Sequence, residues 1–120
     1  MTFEADLFTV IKAAAPAVGT RVFPDFAQVN TQRPYITYQQ IGGPVINPLD
    51  NAAPGVRFAD VQVNVWSNTR AEALSIARAV EDAMRGATAF SARPLEAASA
   101  DYDAEIPVYG CRQDFRCRFT

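Results

Sequence analysis

The sequence predicts an α+β fold, a mainly antiparallel β-sheet with two α-helices packed on one face and a long projecting hairpin loop. Residues 56–66 alternate apolar and polar side chains, as in a strand with one buried face. Residues 69–72 (Thr-Arg-Ala-Glu) form a capping box ahead of a helical apolar repeat. The predicted element order is α-β-β-β-α-β-β, and two long strands joined by a hairpin require an antiparallel sheet.

Length and composition limit the possible functions. Residues 1–120 are expected to form one domain, because half of a 120-residue chain is too small to hold a core. A net charge of −2 excludes a strongly cationic nucleic-acid binder. The chain contains no histidine, so it lacks Ser-His-Asp and Cys-His catalysis and histidine metal sites. No apolar run approaches the roughly 18 residues that span a bilayer.

The first third of the chain predicts one helix and two strands. The helix runs from about residue 3 to residue 15, with Thr2 as N-cap and Pro16 as its end. Its apolar face comprises Leu7, Val10, Ile11 and Ala14. A short extended piece at 21–23 leads into a turn, and the aromatic and β-branched residues of 34–41 predict the first long strand.

A proline- and glycine-rich loop joins the two long strands. It spans residues 42–55 and is longer than most connections in compact domains. It nevertheless carries Val45, Ile46 and Leu49, which a purely solvated loop does not need. The strand that follows, residues 56–66, would extend about 36 Å. The two strands and this loop are therefore expected to form a hairpin that extends past the domain body.

The second helix follows the capping box, in which Thr69 bonds the amide of Glu72 and the Glu72 side chain reaches back. Its apolar stripe comprises Ala73, Ile76, Ala77, Val80 and Met84. Arg78 and Asp82 have the i, i+4 spacing of an ion pair outside this stripe. Gly86 supplies the C-terminal stop.

The last third predicts one strand within residues 94–104, a break at Pro107 and a half-buried strand at 114–119. Cys111 and Cys117 would lie on the same face of an extended strand, about 20 Å apart. That separation is too large for a disulfide. Both are therefore predicted to be reduced and to act as small apolar side chains.

The polar residues do not form a catalytic pattern. Asp101, Asp103 and Glu105 alternate as on a solvated strand face, and their surroundings fit neither a calcium loop nor a clear general acid–base pair. Cys111 has no histidine to activate it. Trp66 fits two interpretations equally, an exposed contact residue or a cover for the core edge. A small acidic chain with apolar residues on a long loop is typical of an assembly protein.

Four segments, taken in order, resemble a known family. Residues 21–25 (Arg-Val-Phe-Pro-Asp), 33–39 (Arg-Pro-Tyr-Ile-Thr-Tyr-Gln) and 61–67 (Val-Gln-Val-Asn-Val-Trp-Ser) precede the capping box, and residues 114–119 (Asp-Phe-Arg-Cys-Arg-Phe) close the chain. Their order and the chain length are similar to those of the tail terminator (tail-completion) proteins of long-tailed bacteriophages and gene transfer agents. The resemblance covers nearly the whole chain.

The resemblance implies a mechanical role in the virion. Such proteins form a ring, generally six-fold, that caps the head-proximal end of the tail tube and joins it to the head–tail connector (stopper) protein. For this chain it implies a homo-oligomer that contacts the tail tube protein and the connector and meets DNA only in passage. It implies no cofactor, enzymatic activity or membrane, and assembly in the bacterial host cytoplasm. A head-to-tail ring needs two different complementary patches per subunit.

The hairpin loop and residues near it are expected to contact the next subunit or the tube ring. The expected interface residues are Val45, Ile46, Asn47, Leu49, Asp50, Arg57, Asp60, Trp66 and Arg70. Among them, Arg57, Asp60 and Arg70 are candidates for ion pairs between subunits. Exposed ion pairs set register more than affinity.

The acidic residues Asp101, Asp103 and Glu105 are expected on the channel wall, where like charge would keep passing DNA from adhering. Placement on the outer surface fits the sequence equally well. Two other functions stay open at this point, a head-completion or neck protein of the same particle and a small α+β ligand-binding domain or enzyme. A terminator binds finished tails, a head-completion protein binds filled heads, and an enzyme needs an enclosed polar pocket.

Overall fold

Six strands form one mixed, mainly antiparallel sheet, and two helices cover one of its faces, which confirms the predicted fold class. The structure is a computed structural model and describes residues 2–120. The elements are α1 (Phe3–Ala14), β1 (Val22–Pro24), β2 (Tyr35–Gly42), β3 (Arg57–Ser67), α2 (Arg70–Arg85), β4 (Ser91–Pro94), β5 (Ser99–Asp103) and β6 (Val108–Phe119). The strand order is β1-β2-β3-β6-β4, with β5 also paired to β6. Strand β1 runs parallel to β2, and the other pairs are antiparallel.

Helix α1 begins at the predicted cap. The hydroxyl of Thr2 accepts a hydrogen bond from the amide of Ala5 at 3.2 Å. Leu7 and Ile11 are buried, and the other two members of the predicted face are half-buried against the core. A short 3₁₀ turn at Pro16–Val18 follows the helix.

The N-terminus of α2 differs from the predicted capping box in one bond. Thr69 Oγ1 accepts the amide of Glu72 at 3.2 Å, as predicted. The predicted bond between the Glu72 side chain and the Thr69 amide is replaced by two bonds of Ser67. The Ser67 hydroxyl accepts a hydrogen bond from the Thr69 amide at 3.3 Å and donates one to the Glu72 carboxylate. Ser67 is fully buried at the end of β3. The relay therefore ties the last residue of the central strand to the first turn of the helix.

The apolar stripe of α2 is buried as predicted, at Ala73, Ile76, Ala77, Val80 and Met84. The ion pair on this helix joins Glu81 to Arg85 at 3.2 Å, whereas the predicted pair of Arg78 and Asp82 does not form. The reason lies outside the helix. Gln113 Nε2 on β6 donates to Glu81 Oε1 at 2.7 Å and holds that carboxylate beside Arg85.

The core lies between the helices and the central strand pair. Strand β3 pairs with β6 from Arg57 to Ser67, so the long strands remain inside the sheet and the loop alone leaves it. The buried face joins Ala59, Val61, Val63 and Val65 to their partners Cys117, Phe115, Gln113 and Cys111. Both cysteines are free and buried, as predicted. The molecule measures 52 × 25 × 25 Å.

The strand predicted within residues 94–104 is β5 (Ser99–Asp103), whereas β4 (Ser91–Pro94) was not predicted. Two short strands, β4 and β5, lie along successive parts of the outer edge of β6. Hydrogen bonding to β6 continues past Pro94, since the next amide, that of Leu95, bonds the carbonyl of Asp114 at 2.9 Å. The element order therefore has one strand more than predicted. A turn at 104–107 precedes β6, in agreement with the break predicted at Pro107.

Candidate assembly interface

The loop between β2 and β3, residues 43–56, exposes large apolar side chains. Val45, Ile46 and Leu49 are 74%, 41% and 109% exposed, respectively. All residues from 43 to 53 are exposed except Pro48, which is half-buried. The loop therefore extends away from the sheet, and its apolar side chains make little contact within the chain. Contiguous exposed apolar surface of this kind marks an interaction site.

The exit of the loop from the sheet has a fixed direction. Gly42 and Gly43 have φ values of 113° and 126°, a region that favours glycine. A Cβ atom on Gly43 would stand 2.9 Å from the amide nitrogen of Asp60 on β3. At the tip, the Asn51 amide bonds the carbonyl of Pro48 at 2.9 Å. The backbone at the loop exit is therefore fixed by the two glycines, and the backbone at the tip is fixed by the bond between Asn51 and Pro48.

A pocket of about 160 Å³ lies where the loop meets the end of the sheet. We call it the loop-base pocket; its lining includes Val45, Ile46, Arg57, Phe58 and Phe119. Three residues expected at the interface from the sequence, Val45, Ile46 and Arg57, therefore meet here. The two phenylalanines were not predicted, because their contribution depends on the pairing of β3 with β6.

Asp60 is engaged within the chain. Its carboxylate accepts two hydrogen bonds from Arg116 across the β3–β6 pair, at 2.9 and 3.1 Å. The hydrogen bond from Arg116 to Asp60 raises the pKa of the guanidinium. This ion pair orders the uncovered face of the sheet. The other two expected ion-pair residues, Arg57 and Arg70, are exposed.

Trp66 packs on the uncovered sheet face. Its indole N–H donates to the hydroxyl of Thr37 at 3.3 Å, and its ring stacks with Tyr35 at a centroid distance of 6.5 Å. A Cβ atom on Gly110 would stand 2.9 Å from the Cζ3 atom of Trp66, so the ring lies directly on the β6 backbone. Of the two interpretations open from the sequence, the geometry favours the cover for the sheet.

The acidic residues lie at the other end of the sheet. Asp101 and Asp103 are on β5, but Glu105 is in the turn that follows, so the three do not form one strand face. The Asp103 carboxylate accepts the amides of Glu105 and Ile106, at 3.0 and 3.3 Å. Ile106 is 57% exposed between these acids, and sequence analysis missed it. Whether these carboxylates face a channel stays a prediction.

The expected interface residues therefore fall at two ends of one strand pair. The loop and Arg57 lie at one end of β3, and Trp66 and Arg70 lie at the other end. Arg70 shares a shallow cleft with Asp101 and the ring of Tyr102. The two ends are roughly 35 Å apart along extended strands of this length.

Neither cysteine is activated as a nucleophile. Burial raises the pKa of the Cys117 thiol to about 12 and also raises the pKa of the Cys111 thiol. Residues 2–120 contain no group of acidic or cysteine side chains arranged to hold a metal ion. Neither helix of this described part has both the length and the apolar character needed to span a bilayer.

Comparison with known proteins gives one family match and one similar structure of note. Residues 6–120 match the family model described as tail completion protein gp17. A chain in the virion of a native gene transfer agent particle has a similar fold, with a TM-score of 0.70 and 20% sequence identity. The alignment covers 97% of this chain and 92% of that chain. A search of curated proteins found no match to the sequence.

Proposed function

Because this chain belongs to the tail completion protein gp17 family, we propose that it is a structural virion protein that forms a ring on the head-proximal end of a tail tube. The ring, six-fold by resemblance to tail terminators, caps the tube and joins it to the head–tail connector. DNA passes through its opening. The observation that carries this proposal is the loop 43–56, which extends from the sheet with three large apolar side chains exposed.

The loop is proposed to contact the neighbouring subunit or the tube ring. Transfer of one large aliphatic side chain from water into a protein contact stabilises by roughly 1.5–3 kcal/mol. Val45 and Leu49 leave most of that free energy unused in the isolated chain, and Ile46, which is 41% exposed, leaves part of it unused. Asn47, Asp50 and Arg57 lie beside them in the proposed contact and supply polar groups for its rim.

A closed ring also needs a second patch that differs from the first. The far end of β3 supplies a candidate in Arg70, which is exposed beside Asp101, while Trp66 holds the sheet face behind it. Asp60 acts indirectly in this proposal, because its carboxylate is bound by Arg116 and its amide nitrogen lies so close to Gly43 that a side chain at the loop exit would clash with it.

Deletion of residues 44–54 tests the loop. The remaining short connection can still join β2 to β3, so the far-ultraviolet circular dichroism and the unfolding transition of the body should persist. We expect the deleted protein to stop binding to the ends of purified tail tubes, as measured by mass analysis with and without tubes and by electron microscopy.

Two variants separate the side chains from the loop itself. Replacement of Val45, Ile46 and Leu49 by serine keeps the loop length and should abolish tube binding equally. Replacement of Ala52 and Ala53 by serine alters the same loop without removing a large apolar group and should leave binding intact. A deleted protein that still caps tubes would overturn the proposal for the loop. Binding to filled heads instead of tube ends would identify a head-completion protein.

A further inference from the structure

The two ends of β6 carry exposed groups of opposite charge. At its C-terminal end lies the loop-base pocket, lined by Phe58 and Phe119 and bordered by Arg57. Arg118 is the cross-strand partner of Phe58, which lines this pocket. Both arginines are exposed, whereas the ion pairs of residues 2–120 use Arg85 and Arg116. This end is therefore a pocket of mixed lining, with apolar side chains beside Gln40 and Arg57 and a second exposed arginine, Arg118, on the neighbouring strand.

The N-terminal end of β6 is preceded by a turn of the reverse character, which we call the acidic turn (residues 103–107). Ile106 is exposed in this turn, and the acids Asp103 and Glu105 precede it in the chain. The Asp103 carboxylate uses its Oδ1 atom to hold the turn through two amides. That leaves Oδ2 and the whole Glu105 carboxylate for a partner. This end is therefore an apolar knob with an anionic rim.

We propose that Ile106 of one subunit enters the loop-base pocket of the next subunit, where Asp103 and Glu105 meet Arg57 and Arg118. This inference rests on the proposed ring and names the second patch that the ring needs. A single subunit cannot close the contact on itself, because its pocket and its acidic turn lie roughly 35 Å apart along β6. Each subunit gives its knob to one neighbour and its pocket to the other, which is the heterologous contact of a ring.

The chemistry of the pocket favours a second copy of this chain over DNA. Nucleic-acid backbones are bound by many cationic groups and offer no aliphatic knob. The pocket combines apolar side chains with Gln40 and Arg57, and the exposed Arg118 lies on the adjacent strand. An exposed isoleucine that follows two carboxylates offers both an apolar and an anionic group, and the acidic turn displays that combination on the same chain.

Charge reversal tests the contact. The turn variant carries Asp103→Arg and Glu105→Arg, and the rim variant carries Arg57→Glu and Arg118→Glu. Each variant alone places like charges on both sides of every contact, so neither should form rings on tube ends. In an equimolar mixture, each turn meets a rim of opposite charge, and rings with alternating subunits should return. Wild-type protein and a matched variant with Arg78→Glu and Asp82→Arg, both on exposed positions of α2, should assemble alone.

Each outcome bears on one proposal. Wild-type protein that never forms rings removes the proposed ring and this contact with it. If the wild-type protein, the turn variant by itself and the rim variant by itself all form rings, the proposed contact is overturned and the proposed ring stands. A turn variant that still forms rings but blocks DNA passage in complete particles would instead place the acidic turn on the channel wall. Failure of the mixture to restore rings would also count against the pairing of these two surfaces.

The apolar half of the contact has its own test. Ile106→Ala removes the knob and leaves the hydrogen bonds of the turn, so the protein should fold normally and bind its neighbour at least roughly ten-fold more weakly. Val29→Ala, at an exposed apolar position in the connection between β1 and β2, is the control. Equal association constants for the two variants, measured by sedimentation of the protein on tube ends, would contradict the insertion of Ile106.

Discussion

The two-layer body and the loop 43–56 use apolar side chains in opposite ways. In the body, Phe115 and Val61 face each other across β6 and β3 and are fully buried under the helices. In the loop, Val45 and Leu49 are almost entirely exposed. Large apolar side chains thus stabilise the body through contacts within the chain, whereas those of the loop make few such contacts.

This difference separates folding from assembly. The free energy of unfolding depends on contacts that the chain makes with itself, so a loop that makes few of them can change without loss of the fold. Association depends on surface that folding leaves exposed. The loop of this chain is therefore the region in which substitutions should affect tube binding and leave the unfolding transition unchanged.

The largest expected effect on stability is at the centre of the body. Phe115→Ala should lower the free energy of unfolding by about 3–5 kcal/mol, because it leaves a cavity in the tightest part of the core. Leu49→Ala removes a comparable apolar group from the loop and should change it by less than about 0.5 kcal/mol. Urea unfolding followed by Trp66 fluorescence measures both.

The proposed difference between the body and the loop is contradicted if Leu49→Ala lowers the free energy of unfolding by more than about 1 kcal/mol, which is the size of an average destabilising substitution. That result would mean that the loop packs on the body. If Phe115→Ala does not fold, Phe115→Leu at the same site gives a smaller but measurable loss. The loss of stability in Phe115→Leu is then compared with that in Leu49→Ala to test the difference between the body and the loop.

Local patterns predicted the body well. The alternation in residues 56–66 identified the buried face of β3, and the capping residue Thr69 identified the start of α2. Both depend on neighbours in sequence. Strand β4 (Ser91–Pro94) was not predictable, because it depends on which parts of β6 remain open along its outer edge. The ion pair of Glu81 likewise depends on Gln113, which lies 32 residues away.

The candidate interface was predictable only where local composition marks its residues, and not where it depends on pairing between distant parts of the chain. Val45, Ile46 and Leu49 stand out in a proline-rich loop from composition alone. The engagement of Asp60 depends on Arg116, 56 residues along the chain, and spacing gives no sign of it. The loop-base pocket requires the pairing of Arg57 with Phe119 across two strands. Ile106 had a weak signal, as an aliphatic residue among three acids.

A smaller effect is expected from glycines in the two regions. Gly110→Ala should cost about 1–3 kcal/mol, because the new methyl group would stand 2.9 Å from an indole ring that is held by Thr37. Gly55→Ala in the loop meets no atom within 4 Å and should cost little. Urea unfolding measures both. In a Trp66→Leu background the penalty of Gly110→Ala should shrink, and an unchanged penalty would show that the indole is not its cause.

The smallest effect is a pH dependence confined to the body. The side-chain amide of Gln113, followed by Arg85, holds the pKa of Glu81 below its ordinary value of 4.5. The folded protein therefore favours the ionised carboxylate, and this contribution is present above pH 4.5 and is lost as the pH falls through the lowered pKa. Glu81→Gln should thus lower the urea midpoint at pH 7 and lower it less at pH 3. Asp50→Asn, on the exposed loop, should shift the midpoint little at either pH. A Glu81→Gln deficit that stayed constant from pH 7 to pH 3 would mean that the bond from Gln113 does not depend on the carboxylate charge, and that the tie between α2 and the sheet is one of packing alone.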